Sequence, residues 1–363
     1  MFALGLISMP LAAVTLPDTK RLSFDVFGTP LGPDGDLHAL DDGIWLTSGM
    51  QGLAVLNGDA LTILQPGQFE SLDVRAEVVV AGQSGYLAAA IDKSSGHVIL
   101  VFLSGKGWRV ETVREVGFLE AVPEAICLYR DPVSAHVSLF SLDARGILEQ
   151  RYVYDSDTGS LIDLPVRREI GVLGAEACAV HDPSRSLFVA DEAFGVRRFD
   201  ASEESDAVPE PWVLPHPWGP LKGEIEDMAI DKAGSLWLLV PDTGLAYRRD
   251  PAGSISAWSL PGATTPAVIA TRLDGSTLSI ALVDEENGSL YGASVQEPGK
   301  VRMPGDASTV AVAAKDTVTA SAQTAPVRRY GDAADDPAIV VASSATEQPL
   351  ILGTDKREGL ALY

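Results

Sequence analysis

Along the chain, short runs of Val, Ile, Leu, Phe and Trp alternate with clusters of Gly, Pro, Asp and Ser, and the 3.6-residue spacing of an amphipathic helix is almost absent. The pattern predicts an all-β protein. Superimposed on it is an internal repeat. Asp131 opens DPVSAHVSLFSLDARGILEQR, Asp182 opens DPSRSLFVADEAFGVRRF, and Asp231 opens DKAGSLWLLVPDTGLAYRR. These aspartates are 51 and 49 residues apart, and Gly146, Gly195 and Gly244 recur every 49 residues. A period of about 50 residues is the length of one four-stranded blade of a β-propeller.

Weaker copies occur around Gly52-Leu53-Ala54-Val55 and in LSIALVDEENGSLYGASV, so residues 20–303 hold five or six blades. A lone four-stranded sheet leaves both faces bare, whereas radial stacking covers them. Residues 304–325, rich in Ala, Thr, Ser and Val, read as a linker, and residues 326–363 as a further pair of strands that begins another unit.

With 46% hydrophobic and 21% charged residues in a chain of 363, the composition is that of an ordinary globular protein. A net charge of −23 argues against nucleic acid and anionic membrane surfaces as partners, because both require clustered Lys and Arg. It favours bound divalent cations. Cys127 and Cys178 are too few for a disulfide scaffold or a zinc site and sit in apolar runs, so they are expected to be buried thiols. The N-terminal MFALGLISMPLAAV resembles the remnant of a signal peptide over residues 1–19, which points to a secreted or periplasmic location. It falls short of the roughly 20 apolar residues of a membrane span.

Candidate chemistry lies in the acidic residues. Glu124, Glu176 and Glu226 each stand just ahead of an apolar strand, in PEAICLY, GAEACAV and GEIEDMAI. Innermost strands line a propeller's channel, so these carboxylates are expected to cluster at one end of it and to attract an oxygen-seeking cation. The competing reading makes them solvated edge residues. The histidines are scattered, HExxH, GxSxG and P-loop strings are missing, and the six tryptophans are assigned to blade packing.

The strings GDAADDPAIVV and LILGTDKREGLALY are similar to the opening motif of the β-propeller phytases, six-bladed calcium-dependent enzymes that hydrolyse phytate. The resemblance implies a six-bladed propeller of four-stranded antiparallel blades. It places Asp335 and Asp336 on a calcium-binding pair and Lys356 on a phosphate-binding lysine. EACAVHDPSRSLFVADEAFGVRRF resembles another blade of that family and puts Glu176 and Glu192 on calcium positions, with Asp191 adjacent. GEIEDMAI likewise assigns Glu226 and Glu224. By the same resemblance Glu176, Glu192 and Glu226 are the catalytic metal ligands, while Lys93, Arg75 and Arg130 contact substrate phosphate.

Several family features are missing. Gly49-Met50-Gln51 and Asp143-Ala144-Arg145-Gly146 replace lysine-bearing turns, Glu124 replaces a tyrosine, and Asp41-Asp42 lacks the following proline. The resemblance therefore implies a tandem protein: a diverged first propeller joined covalently to the opening strands of a second phytase domain. Its expected activity is that of a Ca2+-dependent, 3-phytase-like phosphomonoesterase acting on phytate or lower inositol phosphates. The alternative is a catalytically weak propeller that binds a phosphate ligand or supports the downstream domain. A lactonase-like propeller with one central calcium lacks the string matches.

Overall fold

The computed structural model describes residues 19–40, 43–104, 108–117, 121–191, 194–203, 205, 208–260, 265–274, 276–296, 334–340, 350–355 and 359–362. Two short strands come first, β1 (Thr19–Arg21) and β2 (Asp25–Phe27). Blade 1 follows with β3 (Asp36–Ala39), β4 (Trp45–Ser48), β5 (Gly52–Asn57) and β6 (Ala60–Pro66). Blade 2 is β7 (Phe69–Val80), β8 (Gln83–Asp92), β9 (His97–Ser104) and β10 (Arg109–Val116). Blade 3 is β11 (Ala125–Arg130), β12 (Val137–Leu142), β13 (Ile147–Asp155) and β14 (Ser160–Ile170).

Blade 4 comprises β15 (Ala175–His181), β16 (Ser186–Asp191), β17 (Gly195–Asp200) and β18 (Glu210–Val213). Blade 5 comprises β19 (Asp227–Ile230), β20 (Leu236–Val240), β21 (Leu245–Arg249) and β22 (Ile255–Ser259). Blade 6 takes only three strands from its own stretch of chain, β23 (Pro266–Asp274), β24 (Thr277–Asp284) and β25 (Leu290–Gln296), and the N-terminal β2 is its outer strand. The protein is a six-bladed, all-β propeller, as the repeat and the resemblance predict.

The inner strands β3, β7, β11, β15, β19 and β23 contact one another in that order, and β23 returns to β3. Six buried apolar clusters fill the six seams between blades. Because neighbouring blades cover both faces of each sheet, central strands lose the alternation expected of a one-sided sheet. Seven of the eight residues of β9 are buried, whereas the outer strand β10 alternates toward solvent. This is why the sequence shows continuous apolar runs.

Gly146, Gly195 and Gly244 occupy the turns between second and third strands of blades 3, 4 and 5, with φ of 80°, 82° and 62°. That left-handed conformation favours glycine, and at Gly195 a Cβ would lie 2.2 Å from the Val213 carbonyl oxygen. The 49-residue glycine spacing is thus the repetition of one turn.

Ring closure rests on the N-terminal segment. β2 runs antiparallel to β25 with Asp25 opposite Gly292 and Phe27 opposite Leu290, while β1 adds in parallel to β22 as a fifth strand of blade 5. Between them Leu22 is buried against Trp237, Trp258 and Leu282. Residues 19–27 therefore clasp the last two blades before the chain enters the first. Lys20 adds a cation over the Trp258 ring, 4.6 Å from its centroid.

The two cysteines correct the sequence expectation. Cys127 on β11 and Cys178 on β15 form a disulfide, and no free thiol remains. Their separation of 51 residues is one blade period, so they occupy matching places on adjacent inner strands. A residue-by-residue reading of apolar runs misses this. Beyond the propeller, β26 (Ala334–Val340), β27 (Leu350–Asp355) and β28 (Gly359–Leu362) form a separate antiparallel sheet in that order. Residues 304–325 lie outside the described residues.

Candidate functional site

Four antiparallel strands return the chain to the side of the propeller on which it entered the blade, so all six inner strands run in the same direction. The channel they enclose therefore has an entry mouth, where they begin, and an exit end. It holds a cavity of about 520 Å³ lined by Asp36, His38, Asp73, Arg75, Glu176, Asp227, Lys232, Thr271 and Arg272 among others.

Aspartates on the inner strands tie neighbouring blades together. Asp36 accepts hydrogen bonds from the backbone N–H of Leu37 and of Leu72 in the next blade, both at 2.6 Å. Asp73 repeats the arrangement, accepting from Val74 N–H and from Leu128 N–H of blade 3, both at 2.7 Å. Asp227 accepts from Ile269 N–H of blade 6 at 2.8 Å. Between blades 3 and 4 the disulfide makes the equivalent connection.

Burial raises Asp36 to about 7 despite those backbone donors, with the Asp73 charge adding to the effect. Asp227 is also raised well above the ordinary carboxyl range, first by burial and then by Asp36. None of the three was singled out from the sequence. The available signal was an aspartate beside apolar inner-strand residues, as in DLHA, SLDV and DMAI.

At the entry mouth stand three of the expected glutamates. Glu176 lies on β15 and lines the cavity, while Glu224 and Glu226 precede β19 on the exposed surface. Glu226 N–H donates to Leu239 O at 3.0 Å. Its carboxyl is raised by burial, then by the charges of Glu285, Asp242 and Glu224 in that order. Glu285 and Asp242 follow the second strands of blades 6 and 5, which also end at the mouth. Blades 5 and 6 thus bring four carboxylates together, of which the sequence singled out Glu224 and Glu226.

Asp191 is buried at the end of β16 and accepts from Phe194 N–H at 3.1 Å, with Arg197 Nε 3.6 Å away. Lys93 is at the mouth between blades 1 and 2, where its ammonium meets Asp34 at 2.7 Å and Glu70 at 3.0 Å. These partners raise its pKa, the Asp34 hydrogen bond most.

Arg75 and Arg130 lie farther along the channel toward the exit. Arg75 Nη1 donates to Asp73 at 2.8 Å, Nε meets Asp182 at 3.0 Å, and Nη2 donates to the Leu128 carbonyl. Asp182 also accepts from Arg130 N–H at 3.2 Å, and Arg130 Nη1 reaches Glu77 at 3.2 Å. Six residues of strand separate Asp182 from Glu176, about 20 Å of extended chain. The structure therefore brings Glu176, Glu224, Glu226, Asp191 and Lys93 to one end of the propeller, whereas Arg75 lines the same cavity deeper in the channel, tied to Asp73 and Asp182, and Arg130 ends the inner strand of blade 3.

Glu192 and Lys356, like Asp41 and Asp42, lie outside the described residues. Asp335 and Asp336 are on β26, where the register with β27 shifts between Ala334 and Pro337.

An all-carboxylate donor set suits a hard divalent cation, and the charges of Glu285, Asp242 and Glu224 add to burial in raising the Glu226 carboxyl. Glu224, Glu226, Asp242 and Glu285 fit such an ion by chemistry. Among the described residues, though, the group of three whose ligand atoms lie within 4.8 Å of one another is His136, Asp155 and Asp157. That group sits at the exit end of blade 3, where Asp155 already accepts from Asp157 N–H and Thr158 Oγ1, both at 2.9 Å. His136 Nδ1 accepts from Ser156 N–H at 3.0 Å.

Comparison with known proteins adds one sequence match and several fold matches. The Phytase family model matches residues 289–363, from the end of blade 6 to the last residue, and the phytase resemblance stands on that segment. No curated protein matches the chain. A structural genomics protein of unknown function from Bacteroides thetaiotaomicron VPI-5482 superposes with a TM-score of 0.52 at 10% identity, covering 78% of this chain and 75% of that one. The Cps50 (Swd1) β-propeller domain of Myceliophteria thermophila gives 0.50 at 13% identity, with coverages of 76% and 100%. A luciferin-regenerating enzyme gives 0.50 at 11%, with 77% and 98%. At these identities the matches speak for the fold alone.

Proposed function

We propose that this chain, a six-bladed propeller whose last segment matches the phytases, is a Ca2+-dependent phosphomonoesterase of phytate or lower inositol phosphates. The observation that carries the reading is the crowding of Glu226 by Glu285, Asp242 and Glu224 at the channel mouth. Like charges brought together at a partly buried site favour either protonation or a cation. When bound there, a divalent cation supplies positive charge to a phosphoryl oxygen and to a water. Glu226 and Glu224 of blade 5, Asp242 of the same blade and Glu285 of blade 6 would hold it, with Glu176 facing them from blade 4.

Lys93, which shares the entry mouth with these carboxylates, is the cationic candidate for a substrate phosphate, and it would exchange Asp34 or Glu70 for that group. A secreted or periplasmic location is in keeping with the Cys127–Cys178 disulfide, a bond that persists in oxidising compartments. Among the described residues no helix is long and apolar enough to cross a membrane. The tandem reading assigns β26–β28 to the opening of a second phytase domain.

A second reading is favoured by Arg75 and Arg130, whose side chains are committed to carboxylates toward the exit. It makes the propeller a weak catalyst that binds a phosphate ligand or supports the downstream domain. Phosphate release from phytate separates the two, measured with calcium, with chelator, and in a Glu176→Ala/Glu226→Ala double variant. Calcium-dependent release lost in the variant supports the enzyme. Absence of release, with calcium still raising the melting temperature of the parent but not of the variant, supports the binding propeller. If neither activity nor melting temperature responds to calcium, both readings fail.

A further inference from the structure

At the exit side of the seam between blades 4 and 5, two guanidinium groups converge on one indole. Arg249, the last residue of β21, places its guanidinium carbon 3.6 Å from the Trp212 ring centroid. Arg198 on β17 places its own 4.9 Å from the same centroid. Phe188 supports the ring from within blade 4 at 5.5 Å. The ring is half-buried, and so are both arginines.

The charge at this place is incompletely answered. Among the described residues Arg198 has one ion-pair partner, Glu210, at a loose 3.8 Å, and Glu210 is itself 61% exposed. Arg249 has no hydrogen bond or ion pair among the described residues. The nearby Asp250 carboxylate is turned to its own loop, accepting from Ser254 N–H at 2.8 Å. Burial and the charge of Arg198 both lower Arg249, against the opposing effect of Asp250. In a chain carrying 50 acidic and 27 basic residues, an arginine that forms no ion pair among the described residues is conspicuous. Stacking alone leaves all five guanidinium donors of Arg249 unused, because a cation–π contact engages the face of the group and leaves its N–H edge free.

We propose that Arg249, Arg198 and Trp212 form a binding site for a phosphate group, separate from the carboxylates of the channel mouth. Trp212 fixes the plane of the Arg249 fork, so that the two N–H edges can receive two oxygens of one phosphate while Arg198 supplies the second positive charge. Such preorganisation reduces the rotamer freedom lost on binding. The site lies at the opposite end of the blades from Glu226, and it stands whether or not that cluster holds a metal.

The test follows the Trp212 indole N–H resonance, assigned with Trp212→Phe, during titration with inorganic phosphate and with sodium chloride at matched ionic strength. A saturating shift with phosphate alone is expected. Arg249→Gln should abolish it, and Arg249→Lys, which keeps the charge but loses the fork, should weaken it about tenfold. Circular dichroism checks that each variant is folded, and Arg198→Gln should weaken binding if Arg249→Gln does not fold. An equal response to chloride, or an unchanged phosphate response in Arg249→Lys and Arg198→Gln, would overturn the site and leave the stack a packing contact between blades.

Discussion

Replacing Asp73 by alanine isolates the device that joins neighbouring blades. Asp73 is 9% exposed and holds Leu128 N–H, Val74 N–H and Arg75 Nη1 at 2.7, 2.7 and 2.8 Å. Its removal orphans two backbone donors, each costing about 1–3 kcal/mol where water cannot replace the acceptor. It also leaves Arg75, 11% exposed in its side chain, with Asp182 as its remaining carboxylate. Breaking a buried ion pair from one side costs about 3–5 kcal/mol, and part of that is the same desolvation counted for the donors. The combined loss is expected near 4 kcal/mol, since the overlapping costs do not add.

Asp73→Asn retains the shape and one acceptor oxygen but turns an amide donor toward either Leu128 N–H or the guanidinium, so about half the loss is expected. Urea unfolding followed by tryptophan fluorescence reads both, with the transition slope checked against the parent. As a control, Glu115→Ala removes an exposed partner of His97 and should cost less than about 1 kcal/mol. A loss for Asp73→Ala no larger than the control would refute the claim that this carboxylate staples blade 2 to blade 3.

Three further outcomes are expected. Asp36 and Asp227 are raised, so the stability contributed by their protonated forms is full below the usual carboxyl range and declines as pH rises toward and through about 7 for Asp36; melting temperatures from pH 4 to 8 should show a smaller decline in Asp36→Asn than in the parent. Reducing the Cys127–Cys178 bond, which closes a loop spanning 51 residues, should lower stability by about 4 kcal/mol on the chain-entropy account, and Cys127→Ala/Cys178→Ala should show the same loss without reductant while the parent melts higher. Deleting residues 19–27 removes the clasp, and Leu22→Ala, a buried truncation in the blade 5 and 6 seam, should alone cost about 2–5 kcal/mol; hydrogen exchange should then rise first in β25 and β22, and equal exchange in all blades would count against the clasp.

Strand content and blade period are legible in the chain alone. Turns that need a left-handed residue write Gly146, Gly195 and Gly244 into the chain at fixed spacing, and sheets covered on both faces write unbroken apolar runs. Local chemistry of this kind is legible wherever it repeats. It also made the mouth glutamates visible, because Glu176 and Glu226 recur near the starts of successive inner strands.

The pairings across blades exist only in the folded ring. Glu285 and Asp242 join Glu226 because the second strand of every blade ends where the inner strand begins, a coincidence of space with no sequence signature. Arg75 turns to Asp73 and Asp182 below the mouth because its position along a 12-residue strand sets its depth, and residue type carries no depth. The disulfide, the aspartate staples and the clasp of residues 19–27 likewise arise when a linear repeat is bent into a ring. Closure brings residues one blade or a whole propeller apart within bonding distance, and that distance is a property of the ring.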